Sequence, residues 1–240
     1  MAIEFGSRKE TFENFKVYET MLAGRPFKVE MGKMCGLSNA SALIRYGETC
    51  VMCNVVMSPK PREGVDFFPL NVEYEEKLYA AGRIPGSFMR REGRPGERAI
   101  LTSRVVDRPM RPLFPKEMRN DVCITMTVMS LDPDCSPEIA GMIGASLVTA
   151  VSEIPWNGPI GGVQVGLVDG EIVLNPTQEQ RKVERTIRKL KREKTAYSAA
   201  GLTDEEQAVN IKLRRLNAKY KAFSKAAGLP EQRERMKVLY

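Results

Sequence analysis

Residues 62–115 read REGVDFFPLNVEYEEKLYAAGRIPGSFMRREGRPGERAILTSRVVDRPMRPLFP, and their arginines are the most informative feature of this chain. From Arg83 to Arg111 the segment holds eight arginines, three acidic residues and no lysine. A planar guanidinium group binds phosphate through two parallel hydrogen bonds, whereas lysine would serve general solubility equally well. The segment therefore predicts contact with phosphate groups.

The first half of the segment predicts an exposed loop. It is interrupted by residues that disfavour helix and strand, namely Pro85, Gly86, Gly93, Pro95 and Gly96. At its tip lie Phe88, Met89, Arg90 and Arg91, with Arg94 and Arg98 flanking them. An aromatic ring beside guanidinium groups is typical of a path for single-stranded nucleic acid. The alternative is a loop that forms salt bridges with a neighbouring subunit.

The second half predicts a helix over about Glu97–Pro109, because apolar residues recur at helical spacing. This helix places Arg104, Arg108 and Arg111 one turn apart along one side. We expect these three side chains to contact phosphate or RNA. The alternative is structural pairing with carboxylates, for which the candidates are Asp107, Glu73, Glu75 and Glu76.

The body of the chain predicts an α+β fold, a mixed sheet with helices on one face. Predicted strands are Phe27–Met31, Ala42–Met57, Asp66–Tyr74, Val122–Ser130, Gly162–Val168 and Glu171–Leu174, with Asp169–Gly170 as a hairpin turn. A second helix is predicted over Pro137–Ser152, with Ser136 as its N-cap and Pro137 at its first position. Gly141 and Gly144 on this helix would permit a close approach to the sheet.

Charge and composition change near residue 182. Residues 1–180 hold 20 Lys and Arg against 23 acidic residues, and residues 181–240 hold 17 against 7, so the net charge of +7 comes from the last quarter. We therefore predict two domains, residues 1–182 and a basic tail, residues 183–240. The tail predicts an antiparallel helical hairpin: Gly201 ends one helix, and Thr203 with Glu206 forms a capping box that begins the next. A heptad seam follows, made of Val209, Leu213, Leu216, Tyr220, Phe223 and Ala227, and Gly228 and Pro230 close the helix.

Several classes of chemistry are excluded or disfavoured. The chain has no histidine, which excludes catalytic histidines and histidine–metal sites within it. Five cysteines without a secretory pattern indicate reduced thiols and a cytoplasmic location, and Cys50 and Cys53 fit core packing better than a metal site. No apolar run approaches the roughly 20 residues that cross a bilayer. Asp132 and Asp134 could present carboxylates to Mg²⁺, but a turn before Ser136 explains them without a metal.

The motifs FFPLNVEYEEKLYAAGRIPG, SFMRREGRP and SRVVDRPMRPLFP resemble the first core domain of the bacterial polynucleotide phosphorylase family, within the ribonuclease PH superfamily. The resemblance covers about residues 27–182 and implies a ribonuclease PH-like fold that is truncated here. It also implies that Phe88, Met89, Arg90 and Arg91 line a constriction through which RNA threads. In this family a second aromatic residue often stands at the position of Met89, and the subunits form trimeric rings.

The resemblance places catalysis outside this chain. In the family, inorganic phosphate is held by a serine pair and Mg²⁺ by aspartates, both in a second core domain. This sequence contains no Ser-Ser dipeptide. We therefore expect no catalytic, metal or cofactor residues here, and a chain that binds RNA without degrading it.

Two other hypotheses concern the tail. The phrase YKAFSKAAGLPEQRERM resembles the C-terminal region of phage minor capsid (head morphogenesis) proteins, which implies a structural protein that packs against a phage coat protein. Alternatively, the chain is a chimeric fragment without a function of its own. The basic face of the tail is either solvated or a contact for nucleic acid.

Overall fold

The computed structural model describes residues 14–86, 88–168, 171–200 and 203–226. The chain divides into two units, residues 1–164 and residues 165–240. The boundary between the two units therefore lies before the point in the sequence, near residue 181, at which the charge changes. The different origin of residues 183–240 stays a prediction.

The first unit is built on a six-stranded mixed sheet. Its strands are β1 (Lys16–Leu22), β2 (Arg25–Met31), β3 (Ala40–Tyr46), β4 (Thr49–Pro61), β5 (Leu70–Glu76) and β6 (Asn120–Ser130). The order in the sheet is β1-β2-β3-β4-β6-β5, and every neighbouring pair is antiparallel except β5 and β6, which are parallel. Alternate residues of β6 are buried, so one face of the sheet meets the core.

The predicted strand Ala42–Met57 is wrong, because this stretch forms two strands joined at Gly47 and Glu48. Gly47 has a φ of +55°, a conformation that glycine adopts without the steric cost of a Cβ atom. The strand predicted at Asp66–Tyr74 begins later, at Leu70. Strand β1 was not predicted, because nearly all its residues are exposed and it shows no apolar alternation.

Two helices cover the apolar face of the sheet and confirm the α+β class. Helix α1 (Glu97–Met110) packs on β5, and helix α2 (Pro137–Val151) packs on β3 and β4. Ser136 is the N-cap residue of α2 with Pro137 next, as predicted. Its hydroxyl, however, donates to the Glu138 carboxylate and makes no capping bond to the backbone.

Helix α2 approaches the sheet closely at its glycines, as the sequence predicted. A methyl group on Gly144 would lie 2.4 Å from the Cys53 sulfur and 2.7 Å from Cγ1 of Ile44. A methyl group on Gly141 would instead meet the Met126 sulfur at 3.3 Å, a tight contact that a small shift of the flexible methionine side chain can relieve. Cys53 and Ile44 are fully buried, so the contact at Gly144 lies within the core.

The second unit contains a β-hairpin and a pair of helices. Strands β7 (Val165–Val168) and β8 (Glu171–Leu174) are antiparallel, and the predicted turn at Asp169–Gly170 lies outside the described residues. Helix α3 (Gln178–Ala199) begins at a capping box between Thr177 and Gln180, which was not predicted. Helix α4 spans Thr203–Ala226.

Helices α3 and α4 pack against each other as the predicted hairpin. Near their connection, Lys194 Nζ lies 3.8 Å from the Glu206 carboxylate. Val209 and Leu213 are buried and Leu216 is half-buried, which agrees with the first part of the predicted seam. The other predicted positions lie outside the described residues or side chains: Gly201, Tyr220, Phe223, Ala227, Gly228 and Pro230.

Replacing Gly144 with alanine is expected to lower the free energy of unfolding by about 1–3 kcal/mol. The added methyl group would overlap the buried Cys53 and Ile44 side chains, and α2 would have to move away from the sheet. Urea denaturation followed by circular dichroism measures this change.

Gly141→Ala in the same helix is the matched control. Its methyl group meets the flexible Met126 side chain, and alanine gains about 1 kcal/mol of helix propensity over glycine. Equal destabilisation by both substitutions would contradict the close approach at Gly144.

Candidate nucleic-acid interface

Hydrogen bonds and an ion pair hold both ends of the arginine-rich loop against the segment that follows β5. A one-turn 3₁₀ helix, Leu78–Ala81, ends at Gly82, and the Arg83 N–H then donates to the Leu78 carbonyl at 2.9 Å. At the far end, the Glu92 carboxylate accepts the Leu78 N–H at 2.8 Å and lies 3.5 Å from Lys77 Nζ. These contacts hold the base of the loop while its tip remains free.

Lys77 links the loop to the end of β5. Its ammonium group lies 2.6 Å from the Glu75 carboxylate as well as near Glu92. The hydrogen bond to Glu75, followed by the charges of Glu75 and Glu92, raises the pKa of Lys77, so the ammonium form is favoured. This link was not predicted from the sequence, because lysine and carboxylates at this spacing are also typical of a solvated strand end.

The tip of the loop presents the predicted residues to solvent. Phe88 is fully exposed and Met89 is 65% exposed. Arg90, Arg91 and Arg94 are exposed, and the structure shows no ion pair between them and another described residue. Arg90 has a φ of +47°, a left-handed conformation that costs a non-glycine residue about 1–2 kcal/mol. The exposed ring and the strained arginine at one tip make this loop the candidate site.

Helix α1 separates its arginines into two groups. Arg104 and Arg108 are exposed one turn apart, on a side that also exposes Leu101 and Val105. Arg111 does not join them. Its Nε and Nη2 donate to the two Asp107 oxygens at 3.1 and 2.7 Å, and its Nη atoms donate to the carbonyls of Phe68 and Leu70 at 3.0 and 3.1 Å.

For Arg111 the structure therefore shows the structural pairing that the sequence left open. Its guanidinium group ties the end of α1 to the beginning of β5.

Arg98 is likewise held by a carboxylate. Its Nε donates to Glu138 at 2.8 Å, and its Nη2 also contacts this carboxylate, which joins the beginning of α1 to the beginning of α2. Although burial favours the neutral form of Glu138, hydrogen bonds from Ser136, from its own backbone N–H and from Arg98 lower its pKa. Nearby, the buried Tyr74 hydroxyl lies 3.1 Å from Glu76.

The acidic candidates are engaged in local contacts. Glu73 accepts a hydrogen bond from Asn71 at 2.8 Å, and Asp132 accepts the Asp134 N–H at 2.9 Å in the turn before α2. The described residues contain no group of three or more His, Cys, Asp or Glu placed to hold a metal ion.

The cysteines are free thiols packed within the fold. Cys50 and Cys53 are both buried, and burial raises the pKa of each. Their C-x-x-C spacing therefore reflects packing of β4, as expected from the sequence.

Comparison with known proteins identifies the first unit. The family model described as 3′ exoribonuclease family, domain 1, matches residues 23–155, more than half of the chain. The chain belongs to this family. The matched range contains the whole arginine-rich segment.

Relatives with high identity share one name. The chain is 62% identical over 167 residues to the polyribonucleotide nucleotidyltransferase of Ruminiclostridium cellulolyticum, which covers 70% of this chain and 24% of that protein. The enzymes of the same name from Macrococcus caseolyticus and Clostridioides difficile are 59% and 56% identical over 168 and 166 residues, again covering 24% of each. The chain thus spans about a quarter of the length of these relatives.

A solved structure, that of rice Rrp46, is also similar. It has 14% sequence identity and a TM-score of 0.49, and it covers 71% of this chain and 72% of that one. Within the described part of the chain, no helix has the length and apolarity that crossing a membrane requires.

Replacing Glu138 with glutamine is expected to lower the free energy of unfolding at neutral pH by about 1 kcal/mol, because Arg98 loses its charged partner but remains largely hydrated. The folded state lowers the pKa of Glu138 below its ordinary 4.5. The contribution is therefore complete above pH 4.5 and disappears as the pH falls through the folded-state pKa. Denaturation of both proteins at neutral and acidic pH measures the difference, which should shrink in acid.

Glu117→Gln, at an exposed position, is the control and should change stability little at either pH. A difference between wild type and Glu138→Gln that stays constant in acid would contradict a charged role for this carboxylate.

Proposed function

We propose that this chain is the RNA-binding, non-catalytic first core of a phosphate-dependent 3′→5′ exoribonuclease, and that residues 83–108 contact single-stranded RNA. The observation that carries the proposal is the fully exposed Phe88 ring beside the exposed Arg90 and Arg91, on a loop whose base is held by Glu92. Every base has a flat face that stacks on an aromatic ring, and guanidinium groups neutralise the adjacent phosphates.

The arginines divide into contact and positioning groups. Arg90, Arg91 and Arg94 at the tip, with Arg104 and Arg108 on α1, are available to phosphate. Arg98 and Arg111 are engaged with Glu138 and with Asp107, so we assign them to holding α1 in place. This assignment leaves seven of the nine residues proposed from the sequence as candidate RNA contacts.

The comparisons support RNA as the ligand. The similar enzymes are named for acting on polyribonucleotides, and the matched family is one of 3′ exoribonucleases. Degradation itself is proposed only for a longer protein or an assembly that includes a second core, since the resemblance assigns the phosphate and Mg²⁺ ligands to that core. A trimeric ring stays a prediction, which light scattering after size-exclusion chromatography would test.

Replacing Arg90 and Arg91 together with alanine is expected to weaken binding to single-stranded RNA. If each guanidinium group contacts one phosphate, the slope of log affinity against log salt becomes shallower by about 1.4, since about 0.7 is lost per contact on a single strand. Fluorescence anisotropy with a labelled RNA oligonucleotide across a salt series measures both quantities.

Lys60→Ala with Lys116→Ala removes the same charge from exposed positions outside the loop and is the matched control. An equal effect of both double variants would mean that net charge, and not the loop, controls binding. Release of nucleoside diphosphates from RNA by the isolated chain would contradict the non-catalytic part of the proposal.

Replacing Phe88 with alanine is expected to cost about 1–3 kcal/mol of binding free energy for single-stranded RNA, because one stacked base loses its platform. The salt slope should not change, since stacking displaces no counterions. The same anisotropy titration measures this loss, and Phe88→Trp should retain the affinity. An unchanged affinity of Phe88→Ala would remove the stacking role.

A further inference from the structure

We propose that helix α3 carries a second nucleic-acid contact, independent of the loop, which binds the phosphate backbone of duplex as well as single-stranded nucleic acid. The contact is a basic stripe made of Lys182, Arg185, Lys189 and Arg192. These residues follow a spacing of three, four and three, so they lie along one side of the helix, and all four are exposed.

The partly buried apolar residues of α3 are Ile187, Leu190 and Tyr197. Around the helix axis, Ile187 lies opposite the centre of the stripe, and Leu190 and Tyr197 lie about 120° and about 100° from it. The helix is therefore fastened through its apolar side and presents its cations to solvent. A membrane-surface helix would need an exposed apolar face beside its cations, and these three apolar side chains are not fully exposed. The arrangement favours nucleic acid over a lipid surface.

The sequence of α3 carries an excess of positive charge. Helix α3 contains eight Lys and Arg against three Glu. Lys189 lies 3.9 Å from Glu193, a long and exposed pair, and Lys182 is within 3.2 Å of the Gln178 side-chain oxygen, which carries no charge. Arg185 and Arg192 form no ion pair with another described residue.

Like charges also stand four residues apart at Arg185 and Lys189, and such a pair destabilises a helix. A polyanion placed along the stripe would relieve this repulsion.

The dimensions suit a phosphate backbone. From Lys182 to Arg192 the stripe spans eleven residues, or ten steps of about 1.5 Å, which is about 15 Å. Phosphates of one strand of a B-form duplex advance by about 3.4 Å along the duplex axis. Because the strand winds around this axis, its phosphates are farther apart along the strand, so the stripe can meet about three of them. It includes no aromatic residue, so it offers no platform for unpaired bases. We therefore expect binding without preference for sequence or for single strands, in contrast with the loop.

A duplex DNA of about 20 base pairs separates this contact from the loop, because stacking on Phe88 requires unpaired bases. The test compares the full chain with the triple variant Arg185→Gln, Lys189→Gln, Arg192→Gln by fluorescence anisotropy across a salt series. Each lost phosphate contact removes about 0.9 from the slope of log affinity against log salt, so the slope should become shallower by nearly 3. The affinity at low salt should fall at least tenfold.

The matched control removes the same three charges from the first unit, through Lys16→Gln, Lys60→Gln and Lys116→Gln, all at exposed positions. It should retain most of the duplex affinity. Glutamine has a helix propensity close to that of lysine and arginine, so circular dichroism should show α3 intact in the triple variant. The charge-preserving variant Arg185→Lys, Arg192→Lys should bind duplex DNA like the wild type.

Three results would overturn the proposal: a wild-type salt slope too small for two phosphate contacts, equal losses in the triple variant and its control, or equally strong binding to anionic phospholipid vesicles. This duplex experiment is independent of the test of the loop. If the Arg90→Ala, Arg91→Ala double variant binds single-stranded RNA as tightly as the wild type, the proposed function is wrong, whatever the duplex experiment gives.

Discussion

The contact between Arg111, Asp107 and the carbonyls of Phe68 and Leu70 is the constraint on which the candidate interface depends. It fixes the end of α1 against the beginning of β5, so both elements that bound the arginine-rich loop are held relative to each other. Arg98 and Glu138 fasten the other end of α1 to α2. The loop between these anchored elements can expose Phe88 without its base moving. Loss of Arg111 would affect the loop through position and not through direct contact.

This arrangement explains why one segment contains so many arginines. A guanidinium group that meets a carboxylate and two carbonyls is a structural element, because its donors are used. The same group on an exposed loop keeps its donors for an external phosphate. In the proposed function, arginine serves both purposes within residues 83–111, and the neighbouring acids decide which arginine serves which purpose. Lysine could not replace Arg111, since its single ammonium group lacks the planar fork that spans these partners.

The two proposed contacts differ in what they recognise. The loop combines a ring with guanidinium groups and suits unpaired bases, whereas the stripe on α3 carries charge alone and suits any phosphate backbone. They lie in different units of the chain, and each is supported by its own element: the loop by β5 and α1, and the stripe by the α3–α4 hairpin. Their contributions should therefore be separable by mutation.

By itself, the sequence determined the α+β class, the positions of α1 and α2, the exposed arginine loop, the close glycines and the basic helical hairpin. These features follow from local periodicity, from glycine and proline positions and from charge composition, which are all local properties of the sequence. Only the tertiary structure decided that Ala42–Met57 turns at Gly47, that β1 joins the sheet, and that Arg98 and Arg111 are structural while Arg104 and Arg108 are exposed. The partners of Arg111 at Phe68 and Leu70 lie more than 40 residues away in sequence, so the role of its side chain depends on which distant groups the fold brings to it.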